Sequence, residues 1–392
     1  MQEDSAPHVG ATASRPDHAL GDARKRKPSR WWAKLLLLLA TLVLMLGALE
    51  LVLRVTGARP MTATVLSAYF QPDEATGWRG RPDVSMTFEK TDFSVLTSHG
   101  PDGFRKLFKP LPPPAANAAS SREVWVFGDS FVWGWGVEDG KTFVDLLNET
   151  SGELVFRNFG QAVFCSAQEY ILLRELLEQQ QPRVPRMVLI LFVENDFYEN
   201  IYGKHIRPPR PQFAIENDEL VLKNFPSRSD AGYRFRVWIK KHSMAYNYLY
   251  FYAKRAMAGM RNRRATGQGN VPPLPSDRKW RVVRHVFGLI KQQCDEHDIR
   301  LTVVYPADHE LRAGREPSLI LRRRSDELRD RFGAMCHELG IAVIDMTGNV
   351  RDYVDQGTGA LEPLAFPHDP HPTSAGHRLI AEAIGDALKE DP

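Results

Sequence analysis

The sequence predicts an α/β protein: a three-layer α/β/α domain built on a five-stranded parallel sheet, with one transmembrane helix near the N-terminus. Three observations predict it. From residue 122 onward short apolar runs alternate with helical stretches. The first three runs end in Gly128, Asn158 and Glu194-Asn195-Asp196, polar positions where such sheets present their chemistry. A long apolar stretch follows a basic cluster near the N-terminus. Strand–helix alternation favours a parallel sheet, and strands buried on both faces read as continuous apolar runs.

Taken in order, residues 1–30 are polar and charged with little periodicity, and read as a cytoplasmic tail without fixed structure. Residues 31–55 are the candidate anchor. Leu35 to Leu53, with Glu50 tolerated, gives an apolar helix of about 28 Å, enough for a bilayer core. A cleaved signal peptide would carry a shorter apolar region and a small-residue cleavage site. Leu49-Glu50-Leu51-Val52-Leu53-Arg54 follows instead, and Glu50 and Arg54 are spaced to pair along a continuing helix. The expectation is therefore an uncleaved signal anchor. Arg24, Lys25, Arg26, Lys27, Arg30 and Lys34 precede it against only Arg54 and Arg59 directly after, which places the N-terminus in the cytoplasm. In a bacterium this is a single-pass inner-membrane protein whose remaining residues are periplasmic.

Residues 56–121 form an extracytoplasmic segment with turn signals at Gln71-Pro72-Asp73, Gly80-Arg81-Pro82 and Pro101-Asp102-Gly103, expected to supply short strands that pack on the main domain. Its end, Pro110 to Ser121, has linker composition. The main domain spans 122–390. Its expected strands are Glu123–Phe127, Leu154–Arg157, Met187–Val193, Leu301–Tyr305 and Ala342–Asp345. Helices are expected at Thr142–Glu149, Gln168–Gln180, Arg278–His297, Ser318–Leu339 and Thr373–Leu388. An insertion at about 203–276 separates the third and fourth strands. It carries an expected hairpin, Phe213–Ile215 and Leu220–Leu222, then an aromatic helical stretch from Phe235 to Met260. Such an insertion suits a lid or substrate-binding element; equally, its aromatics suit core packing or contact with the anchor.

Composition narrows the partners. A net charge of +3 over 392 residues argues against nucleic acid. Cys165, Cys294 and Cys336 make no disulfide framework and read as small buried residues, with a Cys294–Cys336 pair left open.

The chemistry lies at the strand ends. Gly128-Asp129-Ser130-Phe131 puts a hydroxyl just beyond the first strand, where Ser130 needs only a base to become a nucleophile. His371, in the loop before the last helix, is the candidate base, and Asp369 its orienting acid. The Ser130 N–H and the Asn195 amide are candidate oxyanion donors. Asp129 reads as shaping the loop and Asp196 as structural. A metal site on His368, Asp369, His371 and His377 lacks a completing ligand cluster, so no metal is expected there.

These residues together resemble the SGNH, or GDSL-type, hydrolase superfamily over about 122–388. The resemblance implies a sheet of order 2-1-3-4-5, with Ser130 and Asn195 at the ends of the two strands flanking its switch point. Gly77-Trp78, Gly103-Phe104-Arg105, Gln168-Glu169 and the pair Asp196/Asn200 are similar to elements of a bacterial membrane-anchored subgroup. The family's second block implies oxyanion donors at Gly160 and at the position of Val163, where a glycine is usual. Valine there narrows the approach and disfavours positive φ. Val193-Glu194 stands where glycine often precedes the asparagine, and Glu194 would oppose an oxyanion if it faced the site. The implied activity is a serine esterase, using neither a metal nor an organic cofactor, that acts on acyl esters of envelope polysaccharide or lipid. The alternatives are an O-acyltransferase working with a membrane acyl-donor protein, or a non-catalytic binding or scaffold protein of the same fold.

Overall fold

The computed structural model describes residues 31–58, 68–115, 117–179, 184–201, 210–227, 231–253, 273–313, 318–356 and 362–390. Two compact units divide at Ala58. In the first, one helix runs from Trp31 to Val55; its 25 residues span about 37 Å, and it is long and apolar enough to cross a membrane. Glu50 and Arg54 do pair along it, at 2.7 Å. The expected tail, 1–30, lies outside the described residues.

The second unit is built on five parallel strands: β1 (Glu123–Phe127), β2 (Val155–Asn158), β3 (Met187–Leu191), β4 (Arg300–Tyr305) and β5 (Ala342–Asp345), in the order β2-β1-β3-β4-β5. Every residue of β1, β2 and β3 is buried; β3 is apolar throughout, while β1 opens on Glu123 and β2 ends on Arg157 and Asn158. Register is set by pairs such as Val124 with Met187 and Val303 with Ile190. The helices are α1 (Phe143–Thr150), α2 (Ser166–Gln179), α3 (Ala231–His242), α4 (Asp277–Asp295), α5 (Leu319–Glu338), α6 (Thr347–Asp355) and α7 (Ser374–Glu390). They cover both faces of the sheet. On one side α1 packs on α7, and on the other α2 packs on α4. Phe287 of α4 and Phe332 of α5 both meet Phe192 just beyond β3.

Local chemistry explains the helix starts. Thr142 and Asp145 form a reciprocal capping box at α1, and the Ser318 hydroxyl accepts from Leu321 N–H at α5. Helix α6 has no counterpart among the expected elements; its Thr347-Gly348-Asn349 start carries no periodic signal.

Two hairpins precede the sheet, Phe70–Asp73 with Gly77–Gly80 and Ser85–Glu89 with Ser94–Ser98. Their Tyr69, Phe70, Trp78 and Phe88 join the main core. Trp78 Nε1 donates to Ala162 O at 3.0 Å, and Gly80 N–H to Gln161 Oε1 at 2.9 Å. The hairpins therefore brace the loop after β2. Within the expected insertion, Gln212–Glu216 pairs with Glu219–Lys223 around Asn217-Asp218, both at positive φ as a two-residue hairpin turn demands. α3 and helical residues 244–253 follow; 203–209, 228–230 and 254–272 lie outside the described residues. All three cysteines are free and buried, so Cys294 and Cys336 do not pair. Burial pushes both of those thiols up to about 12, and Cys165 higher still, which leaves them unreactive.

Candidate active site

Ser130 heads a one-turn helix, Ser130–Trp133, directly after β1. Two glycines are needed to place it. A Cβ on Gly128 would lie 2.4 Å from Val132 Cγ2, and one on Gly160 would lie 2.4 Å from the Trp133 nitrogen. Only glycine lets the strand end and the β2 loop close on this turn. Asp129 caps the turn: its Oδ1 accepts from Phe131 N–H at 2.9 Å. Its Oδ2 accepts from Asn195 Nδ2 at 3.2 Å, so the loop-shaping residue also ties the β1 end to the β3 end. Burial raises the Asp129 carboxyl above its ordinary range.

His371 is brought to the serine, with Nε2 2.8 Å from Ser130 Oγ. Its Nδ1 bonds Asp369 Oδ1, and its backbone O accepts from Phe366 N–H, fixing the loop before α7. Burial alone would raise Asp369. The hydrogen bond and charge of His371 outweigh it, with help from Lys90, and hold the carboxyl well below the usual carboxylate range. Asp369 is thus ionised wherever the domain is folded near neutrality. The arrangement can pass the Ser130 proton to His371 Nε2 while Asp369 stabilises the imidazolium.

Two further residues hold this pair, and no motif in the sequence points to them. Lys90, in the turn of the second hairpin, bonds Asp369 Oδ2 at 3.1 Å. Trp135 Nε1 donates to the same oxygen at 3.1 Å, while its ring stacks on His371 with centroids 4.8 Å apart. Lys90 Nζ also lies 4.4 Å over that ring. The neighbouring Asp92 takes His368, accepting from its N–H at 3.0 Å and pairing with its Nδ1 at 2.7 Å. His368 is accordingly turned away from Ser130. His377 is fully buried, with Nδ1 accepting from Phe143 N–H at 3.0 Å. His368, His371 and His377 thus take three different partners.

The candidate oxyanion donors separate. As the first residue of its turn Ser130 has an N–H with no helical acceptor, and none is found among the described residues. Asn195 Nδ2 donates to Asp129 Oδ2, and the same side chain also hydrogen-bonds the Glu199 carboxylate. Gly160 departs from expectation: its N–H donates to Asn158 Oδ1 at 3.0 Å, and its part is close approach. Val163 adopts φ +66°, the left-handed conformation that its branched side chain opposes. It sits third in the turn Gln161–Phe164, where a glycine is the ordinary choice. Trp78 holds the Ala162 carbonyl, and Arg210 Nη1 the Val163 carbonyl at 2.8 Å. Val163 N–H has no acceptor among the described residues.

Glu194 does not act against the site. It is buried and forked by Arg324 of α5, Nη1 to Oε2 at 2.8 Å, with His309 Nε2 at 2.5 Å. Burial would raise its carboxyl, but the hydrogen bonds of Arg324 and His309 hold it low. Glu194, Asp308 and His309 have donor atoms close enough for a cation among the described residues. The guanidinium on both Glu194 oxygens makes this an ion-pair cluster instead. Asp196 accepts from Ser166 Oγ and, at 3.2 Å, from Ser166 N–H, while Asn200 Oδ1 accepts from Ala167 N–H at 2.8 Å. Both anchor the start of α2 beneath the asparagine. Burial, then neighbouring carboxylates, push Glu169 and Asp196 well above the usual range.

A five-stranded sheet with a serine and an asparagine beyond the ends of its neighbouring strands β1 and β3, and a histidine–aspartate loop before the last helix, defines an SGNH-type hydrolase. The chain belongs to the GDSL-like lipase/acylhydrolase family, matching it over residues 126–379. Among solved structures it is similar to a lipolytic G-D-S-L protein from Veillonella parvula, at 13% identity over 68% of this chain and 98% of that one, with a TM-score of 0.37. It is also similar to the esterase EstA from Pseudoalteromonas, at 13% identity over 69% and 98%, with a TM-score of 0.35. The acetyl xylan esterase AlAXEase matches at 13% identity over 68% and 99%, with a TM-score of 0.37. No curated protein matches the chain.

Proposed function

We propose that this protein is a membrane-anchored serine esterase that cleaves acyl esters of the bacterial envelope through an acyl-enzyme on Ser130. The observation that carries the reading is the 2.8 Å contact of Ser130 Oγ with His371 Nε2, continued to Asp369. Ser130 Oγ attacks the ester carbonyl carbon as its proton moves to His371 Nε2. The oxyanion is met by the Ser130 N–H and the Val163 N–H, with the Asn195 amide turning to it from its carboxylate partners. As the carbon–oxygen bond breaks, His371 returns the proton to the leaving alkoxide. Water, deprotonated by the same imidazole, then releases the acid.

The helix Trp31–Val55 supports an anchor in the inner membrane, and the basic residues before it support a cytoplasmic N-terminus and a periplasmic catalytic domain. O-acyl groups of envelope polysaccharide, or lipid esters, are then the substrates within reach. The test is hydrolysis of a small activated ester by the full chain in detergent, beside Ser130→Ala. Loss of at least about 10³-fold is expected. Equal rates in folded protein would refute the reading, and acyl transfer to an added polysaccharide in preference to water would assign the transferase instead.

A further inference from the structure

Residues 231–253 carry Arg234, Arg236, Lys240 and Lys241 and no Asp or Glu, and 8 of the 23 are aromatic. Part of their apolar surface, which an ordinary surface helix would bury, is left exposed. On α3 the positions 235, 238, 239 and 242 share one face by the 3.6-residue period. That face normally turns to the core, yet Phe235 is 59% and Trp238 56% exposed, and their rings stack with centroids 6.1 Å apart. In the helical residues 244–253, Leu249 and Tyr252 are 50% and 54% exposed. By the same period Arg234 lies along one edge of the aromatic face and Arg236 along the other, while Lys240 lies behind it with its ammonium 3.8 Å over the Tyr250 ring. Water is a poor solvent for such a patch, and exposed patches of this kind mark interaction sites.

We propose that this face rests in the headgroup region of an anionic phospholipid bilayer. The aromatic rings fit the interface, where tryptophan and tyrosine find apolar contact for the ring and water for the polar edge. The flanking cations fit lipid phosphates, and the absence of any carboxylate over the segment removes the repulsion that most protein surfaces would present. Such helices bind weakly alone and firmly when a second attachment holds the chain at the membrane. The inference rests to that extent on the anchor reading of Trp31–Val55. The surface then does more than tether. It sets the face that the domain turns to the bilayer, and with it the side from which an ester reaches Ser130.

The three native cysteines are buried, so a single introduced cysteine can be spin-labelled selectively. The full chain is labelled at Phe235→Cys or, as control, at Leu319→Cys, a residue 77% exposed. Each is placed with vesicles of phosphatidylcholine, with or without phosphatidylglycerol. Flotation after carbonate extraction tests the anchor independently. With phosphatidylglycerol present, the label at 235 is expected to lose access to a water-soluble nickel relaxant and gain access to oxygen, several-fold each way. The label at 319 stays unchanged. Protection should vanish in phosphatidylcholine alone and in Arg234→Glu/Lys240→Glu/Lys241→Glu, whose folding is checked by probe labelling at Ser130. Nickel access at 235 equal to that at 319 overturns the proposal, whether or not the chain floats. Protection by dextran sulfate without vesicles also overturns it, in favour of a polyanion-binding face.

Discussion

At the scale of single residues, the site depends on groups whose side chains hold other side chains in place. Lys90 and Trp135 share one oxygen of Asp369 and leave the other to His371. The ammonium fixes the carboxylate that orients the imidazole. In Lys90→Met kcat/KM for a small ester is expected to fall roughly tenfold, mostly in kcat, with Lys90→Arg restoring it. An unchanged rate in Lys90→Met, or a loss that Lys90→Arg does not restore, would deny Lys90 a positioning role. Val163 gives a second expectation. Val163→Gly loses part of a packed side chain, about 1 kcal/mol, and relieves left-handed strain of roughly 1–2 kcal/mol. Its stability should therefore equal wild type or exceed it by up to about 1 kcal/mol in urea denaturation; a loss of about 1 kcal/mol or more would show that φ +66° carries little strain. Ser130, His371 and Asp369 were legible because their chemistry needs those residue types next to strand and helix ends. Lys90 was not, since it meets Asp369 across 279 residues of sequence and belongs to no motif.

At the scale of elements, strands were the easiest to read. Runs such as Met187–Leu191 are apolar at every position because both faces are covered, and Gly128 or Glu194-Asn195 marks where each must stop. Helix α6 escaped because nine residues starting at Thr-Gly-Asn hold no stripe long enough to count. The sign of the electrostatics around Asn195 was also hidden. Glu194 reads as a charge facing the oxyanion until α5 brings Arg324 to it from 130 residues away. Removing that partner strands a buried carboxylate. Arg324→Met should therefore cost about 3–5 kcal/mol in denaturant unfolding, and Glu194→Gln added to it should recover much of the loss. If the double variant is no more stable than the single, the pairing is not what α5 contributes.

At the scale of the whole molecule, the hairpins before the sheet and the loop before α7 close on one another around the site, and that closure makes acid a specific threat. Trp133 Nε1 donates to His99 Nε2 at 2.9 Å, so His99 carries its proton on Nδ1, which donates to Arg81 O. Burial lowers His99 to about 4 and His377 to about 3. Below the unfolded value of about 6.5 the unfolded chain binds protons that the folded one refuses, so these groups lose stability as pH falls to their folded values. Glu169 and Asp196, raised in the fold, act in the opposite sense, so the histidine contribution is read as a difference. Between pH 7 and pH 5, His377→Asn should lose less stability than wild type, by roughly 2 kcal/mol. Parallel losses would mean that His377 is protonated in the fold.

Catalysis turns on whether Ser130 is an activated nucleophile. A fluorophosphonate probe reacts with a serine only when a base removes its proton and an oxyanion hole receives the phosphoryl oxygen. Intact-mass analysis of the full chain after exposure should show one adduct, mapped by peptide analysis to Ser130 and absent from Ser130→Ala and strongly slowed in His371→Ala. Folded protein that takes up no probe at Ser130, or takes it up equally without His371, would contradict the claim.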